Sequence, residues 1–387
     1  MKGISRNIQL LAVLNFLTDF KFHSAVLIIY FVNVTGSFTL AMSLFSVVMI
    51  SSALFEVPTG IFSDRIGRKK TVTLGALSAT FSAILYAIGG SYWILFAGAL
   101  LEGLQRAWYS GNNDALLFES VEQSHKKETF SHYLGKTSAM FQLALMIGAV
   151  TGSIMAQFSF PLIMWLSVIP QVGSVFVSGM LTEPATITRG KSNIFSHMSV
   201  SALHIWRNKR LRLLSLQDIL RYGMGESSFQ FNAAFIQTLW PIWAIGLSRL
   251  MSYGGAFISY WNSSNIIKRI GEYNILMLAN LLTRIVNLVA YGFPSVVSPV
   301  LMGSTSLTYG VSEISKNTLM QKEFTGEQRA TLASLNSFFG HLFYGIFSPF
   351  LGLVADSAGP AKALIMVQVF MFGVLYLQWR LKRLARV

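Results

Sequence analysis

Twelve runs of predominantly apolar residues recur along the chain, each close to the roughly 20 residues a helix needs to cross the hydrocarbon of a bilayer. They fall near 8–32, 39–62, 71–90, 92–118, 131–156, 160–181, 212–236, 240–262, 273–291, 295–320, 330–355 and 361–380. Composition agrees, with 12% charged residues, where soluble proteins carry about 25%, and a mean hydropathy of +0.53. The expected fold is therefore an all-α integral membrane protein of twelve transmembrane helices, with too little chain left for a separate catalytic domain. The start, Lys2 and Arg6 before an apolar run, has the outline of a signal peptide. No small-residue cleavage pattern follows, and the run continues to Val32, so it reads as a retained first span. Cysteine is absent, which excludes disulfides and thiolate metal sites. No cofactor and no metal are expected.

A net charge of +14 invites a nucleic-acid partner until its distribution is read. Of the 30 lysines and arginines, 23 lie at the termini and in alternate loops that share one side, and the opposite loops hold none up to Lys362. Basic loops stay on the cytoplasmic side, which places both termini there in a multi-pass protein of the cell membrane. The charge is orientation, and no nucleic acid is expected. Trp93, Trp165, Trp240 and Trp243 fall near outer span ends and Trp261 and Trp379 near inner ends, as interfacial belts require. The longest polar connection, 182–210, opens with Thr182, Glu183 and Pro184 and separates a six-span half at 1–181 from another at 211–387. Within it Ile194, Met198, Ala202, Ile205 and Trp206 recur at helical spacing, which suits a surface amphipathic helix or an irregular loop equally.

Between the second and third spans lies a short basic joint holding Gly60, Asp64, Arg65, Gly67, Arg68, Lys69 and Lys70. It resembles the loop of the major facilitator superfamily, G-x-x-x-D-R-x-G-R-[RK], at every position. With twelve spans around it, the resemblance covers essentially the whole chain. It implies two pseudo-symmetric six-helix halves, a small-molecule substrate, alternating access, and a central cavity lined by the first, fourth, seventh and tenth helices. It also implies a conformational latch, in which Asp64 meets the start of the eleventh span near 329–332 when the cytoplasmic side closes. Gly60 and Gly67 would permit the approach, while Arg65 and Arg68 hold Glu119 or anionic head groups. Weak internal repeats accompany it: Arg65 to Gly67 matches Arg269 to Gly271, and Gly148 with Gly152 matches Ser348 with Gly352. The second joint differs, carrying Lys268 and Glu272 where the first has Asp64 and Arg68. The family's fifth-helix antiporter motif lacks its proline, and Ala99 stands where its fourth-helix arginine is expected.

Ionisable side chains inside a membrane are costly and by default functional. Here they gather on every third span: Asp19, Lys21 and His23; Glu102, Arg106 and Asp114; Asp218, Arg221 and Glu226; Glu313 and Lys316. Arg284, in the ninth, stands outside the pattern. Glu102 and Arg106, four apart, share a helix face, either as a self-neutralised pair or as a proton or substrate site. Trp108 beside them is packing or a stacking platform. Asp19 and His23 have the same spacing and read as a water-facing cluster or a proton relay. Glu226 follows Gly223 and Gly225, where a helix bends readily, and is either a cavity acid or a partner for Arg221 or a neighbouring helix. Glu56, beside Pro58, reads as structural.

The function expected is secondary active transport of a small solute by a monomer, with protons as coupling ion and efflux as a candidate direction. The cavity residues are Asp19, His23, Glu102, Arg106, Trp108, Arg221, Glu226 and Glu313. The chain has no G-x-x-x-x-G-K-[ST] loop for ATP, and no enzyme activity is expected. The rival readings are a lipid-modifying membrane enzyme, with His125 between Glu122 and Glu128 as its best acid–base cluster, and a non-transporting sensor.

Overall fold

The computed structural model describes residues 2–123, 130–184, 203, 205–323 and 329–384, and within these not the side chains of 2–5, Asp64, Ser131 and 329–331. The His125 cluster and most of the 182–210 connection lie outside the described residues. Among those described, all regular structure is helical. The chain divides into two compact units, residues 1–36, 43–189 and 241–247 in one and 37–42, 190–240 and 248–387 in the other.

The first unit is built from α1 (Lys2–Asp19), α2 (Leu27–Thr35), most of α3 (Phe38–Ile66), α4 (Arg68–Ile88), α5 (Tyr92–Tyr109), α6 (Asn112–Gln123), α7 (Phe130–Ala156) and α8 (Phe160–Gly179). Ser91 and Ser159 cap α5 and α8, each accepting the N–H three residues on. Ile8, Leu11, Leu14, Val72, Leu116, Leu117, Val121 and Leu181 form one core, drawn from α1, α4, α6 and the chain just after α8.

The second unit holds α9 (Lys209–Ile236), α10 (Ile242–Ile270, whose first turns belong to the first unit), α11 (Glu272–Gly292), α12 (Ser298–Ser304), a 3-10 turn (Thr305–Thr308), α13 (Tyr309–Glu323), α14 (Arg329–Ala358) and α15 (Pro360–Leu384). Leu211, Leu214, Leu276, Leu319, Leu332 and Leu381 anchor the corresponding core. The same unit takes in residues 37–42, where the Asp356 carboxylate accepts Phe38 N at 2.7 Å and Thr39 N at 3.0 Å, together with the Ser37 and Thr39 hydroxyls. It caps the start of α3.

Among the described residues, seven helices are long and apolar enough to cross a membrane by length and composition alone: α3, α4, α7, α8, α11, α14 and α15. The five remaining expected spans are those the chain interrupts or charges. The first breaks between Asp19 and Leu27, the fourth at Ser110 and Gly111, and the tenth at the 3-10 turn. Continuous helices at 8–32, 92–118 and 295–320 are thereby corrected. The seventh carries Asp218, Arg221 and Glu226, and the eighth a buried Arg249.

The 182–210 connection also begins differently from a free linker. Asn7 bonds both the carbonyl of Thr182, at 2.8 Å, and its N–H, at 2.9 Å, which fastens the chain after α8 to α1.

Candidate functional site

The break in the first span is positioned by α7. A Cβ on Gly152 would lie 1.6 Å from the Phe22 carbonyl oxygen, and one on Gly148 would lie 2.9 Å from that of Lys21. Two glycines one helical turn apart thus form a groove that admits bare backbone. In it, turns run from Lys21 N to Asp19 O, Ser24 N to Lys21 O and Val26 N to His23 O. Because the helix has ended, Asp19 and His23 do not share a face as an i,i+4 pair. His23 is buried instead with its ring edge-on to Tyr86, and its Nδ1 meets no hydrogen-bond partner.

The displaced segment carries Lys21 to the fourth span. Lys21 Nζ lies 3.3 Å from Glu102 Oε1, Arg106 Nη2 lies 3.2 Å from the same oxygen, and the Tyr86 hydroxyl donates to Oε2 at 3.0 Å. Glu102 is buried, with two cations and a phenol on it. The i,i+4 pair is therefore one side of a triad. Asp19 forms no ion pair and no side-chain hydrogen bond among the described residues; the charges of Lys21, Arg106 and Glu102 act on it from farther away. The Trp108 ring meets that of Phe62 edge-on at 6.4 Å between centroids, and its Cβ lies close to the backbone at Gly75.

In the second unit Arg221 reaches Glu313 on α13, Glu313 also holds Lys316 at 2.5 Å, and Lys316 holds Asp218 at 2.9 Å. The four charges alternate in sign and sum to zero. Arg221 is thereby committed to Glu313, while Glu226 accepts from the Gln230 amide at 2.8 Å. Arg249, 5% exposed, stacks on the Phe229 ring at 3.9 Å and donates to the Phe229 carbonyl at 2.8 Å. Arg284 lies on the α11 face that also presents Asn280 and Asn287, which bond Gln378 and Gln368 of α15. That face is a polar seam.

At the basic joint α3 and α4 are separated by Gly67 alone, at φ 95°, and α10 and α11 by Gly271 alone, at φ 83°. Both values favour glycine. Arg68 donates to Asn112 and to Ser63 (2.7 Å), and its Nε lies 3.7 Å from Glu119. Glu183 covers the start of α4, accepting Arg68 N at 2.6 Å and Lys69 N at 2.8 Å, so tightly that a Cβ on Gly67 would strike its carboxylate. Burial pushes the Glu183 carboxyl up from its ordinary value, opposed by the Lys69 N–H and the charges of Lys69 and Lys70. Arg65 is exposed, and Gly60 has open space around it. The side chain of Asp64 lies outside the described residues.

Sequence reasoning passed over Lys21 as a partner of Glu102, Tyr86, Glu183 and Arg249. A carboxylate directly before Pro184 at the end of a span was a visible signal for Glu183. Tyr86 and Lys21 gave none, since their roles depend on how neighbouring helices are rotated.

The chain matches the sequence profile of the Major Facilitator Superfamily over residues 10–345, most of its length. It is similar to the "Tetracycline resistance protein, class E" of Escherichia coli, 27% identical over 127 residues, or 33% of this chain and 29% of that one. It is 23% identical over 239 residues to the "Uncharacterized transporter BU466" of Buchnera aphidicola, 59% of each chain. These matches span less than two thirds of either relative. Among solved structures, a point variant of the nucleoside transporter NupG superposes with a TM-score of 0.83 at 13% identity, covering 97% of this chain and 99% of that one. At that identity the likeness is one of fold.

Proposed function

The chain belongs to the Major Facilitator Superfamily, and on that footing we propose that it moves a small solute across the cell membrane by alternating access, coupled to protons, with Asp19 as the proton carrier. The observation that carries the assignment is the contrast between Asp19 and Glu102. Exchanging a proton costs least where no ion pair must be broken. Glu102 holds two cations and acts as their fixed counter-ion, whereas Asp19 sits at an interrupted span with no ion pair among the described residues. Discontinuous helices are where transporters of many folds bind substrate and coupling ions. Glu226, bonded to a neutral amide, is the second candidate.

On this reading Asp64, Arg65, Gly67 and Arg68 form the cytoplasmic latch, with Glu119, Asn112 and Glu183 bracing it from within the first unit. Both termini face the cytoplasm, by the distribution of basic residues.

The test begins with a ligand screen by thermal shift, followed by uptake of the hits into proteoliposomes under an imposed pH gradient. Asp19→Asn should abolish accumulation driven by the gradient while leaving exchange of solute at equal concentrations. Transport indifferent to the pH gradient, or an Asp19→Asn variant that still accumulates solute, would overturn the assignment. Vesicles of both orientations separate efflux from uptake, and flux of any solute excludes the enzyme and sensor readings.

A further inference from the structure

In the second unit Arg221, Glu313, Lys316 and Asp218 are chained to one another, but a neighbouring acid and base are not. Among the described residues, Glu226 on α9 accepts only the Gln230 amide, and Arg249 on α10 donates only to the Phe229 carbonyl. The two act on each other electrostatically, yet no guanidinium nitrogen comes within 4.0 Å of a Glu226 oxygen. Opposite charges in a weakly screening medium close into a pair unless something holds them apart. Here Phe229 holds Arg249, its ring 3.9 Å from the guanidinium and its carbonyl at 2.8 Å, while Glu226 lies one turn earlier on α9, about 4.5 Å of rise. The space beside them is open. Arg249 is buried, but its Nε and Nη1 meet no protein acceptor and are not sealed off. On α9, Tyr222, Glu226, Phe229 and Gln230 are half-buried or exposed, whereas Gly223, Ser227 and Phe231 on the other face are buried. A half-open face that carries a carboxylate and an amide borders water, since lipid would leave both unsolvated. From α10 the Tyr253 ring stands against that of Phe229, with centroids 6.5 Å apart.

We propose that Glu226 and Arg249 bind a compact zwitterion, a small molecule of the amino-acid class that carries one ammonium and one carboxylate. Its carboxylate takes the guanidinium nitrogens that Phe229 leaves free, and its ammonium takes the Glu226 carboxylate. Tyr253 walls the space between them and offers a ring face to the ammonium. Charge balance selects the class. Glu226 and Arg249 sum to zero, as do the two ends of a zwitterion, so every charge is answered when it binds. An anion would leave Glu226 unanswered and a cation would leave Arg249 so, and an uncompensated buried charge is the costlier state. The four-residue chain of Asp218, Arg221, Glu313 and Lys316 is already neutral and adds no bias of either sign.

The proposal rests on the reading of the chain as a solute transporter, for which it names the solute class, but it is read by binding, so the two can fail separately. The full chain in detergent is titrated with L-alanine, β-alanine and 4-aminobutyrate, which step the distance between the two charges, and with butyrate and butylamine, which carry one charge each. Thermal midpoint and calorimetry are followed in parallel. At least one zwitterion should bind and raise the midpoint at concentrations where neither single-charge compound does. Glu226→Gln and Arg249→Gln should each raise the half-saturating concentration of the best zwitterion about tenfold or more. The preference should also shift with the charge removed: Glu226→Gln closes the gap between the zwitterion and butyrate, and Arg249→Gln the gap between the zwitterion and butylamine. A merely structural role would weaken all ligands alike. No zwitterion of the set binding more tightly than butyrate or butylamine overturns the site, as does an unchanged half-saturation in Glu226→Gln. If Arg249→Gln fails to fold, Glu226→Gln, on the half-open face, decides alone. A zwitterion that binds but is not carried into proteoliposomes would refute the transport reading and leave the site standing, and flux of another solute without zwitterion binding would do the reverse.

Discussion

Gly152→Ala offers the most direct test of why the first span is broken. Its added methyl would lie 1.6 Å from the Phe22 carbonyl oxygen and 2.5 Å from the carbonyl carbon, both backbone atoms that cannot rotate away. Restoring an ordinary contact of about 3.4 Å requires a displacement of roughly 1.8 Å at Phe22, against roughly 0.5 Å at Lys21 for Gly148→Ala. Overpacking of this kind costs about 1–3 kcal/mol, while replacing a helical glycine returns about 0.5–1 kcal/mol. Gly135 lies in the same helix with nothing within 4 Å, so Gly135→Ala should be neutral or stabilising. Gly148→Ala should fall near balance, and Gly152→Ala should lose a net ~1–2 kcal/mol. The displaced residues carry Lys21, whose ammonium lies 3.3 Å from Glu102, so transport should fall more steeply than stability. Thermal inactivation in detergent and uptake into proteoliposomes are measured on all three variants. A Gly152→Ala protein as stable and as active as Gly135→Ala would refute the groove as the reason for the break.

Three further outcomes follow from the contacts. Neutralising Glu102 together with Lys21 should restore more stability and transport than neutralising Glu102 together with Arg106, because the Arg106 side chain is 44% exposed and can be hydrated alone, whereas Lys21, at 19%, cannot; equal recovery in thermal shift would argue against the triad. Glu183→Gln should lower thermal stability by about 1 kcal/mol through the lost cap on α4 without preventing membrane insertion, and Glu183→Asp should recover little since its shorter arm cannot span both N–H groups. Arg221→Met should be more damaging than Arg221→Met with Glu313→Gln, since the single change leaves Glu313 and Asp218 against Lys316 alone; stability of the double variant below that of the single would break the alternating chain.

Much of this protein is written in one dimension because the bilayer is a severe solvent. It fixes the length of each span, the side on which cations collect and the scarcity of charge, so the twelve-helix fold was legible without coordinates. The basic joint at 60–70 was legible too, but not that a single left-handed residue makes it: helix continues to Ile66 and resumes at Arg68, with Gly67 alone between. The gathering of charge on the first, fourth, seventh and tenth spans was legible as well. What the sequence did not contain is which charge meets which. Helical periodicity supplies only i,i+3 and i,i+4 neighbours, and it offered Arg106 for Glu102 but not Lys21 or Tyr86, while mere closeness in sequence offered Glu226 for Arg221 but not Glu313. Those partners depend on how each helix is turned about its axis, which is set by the packing of its other faces. Nor could it show that the first span stops at Asp19. Nothing local breaks a helix there, for no proline or glycine lies between Asp19 and Val26. The break belongs to Gly148 and Gly152, more than a hundred residues away, whose missing side chains leave the space that unwound backbone fills.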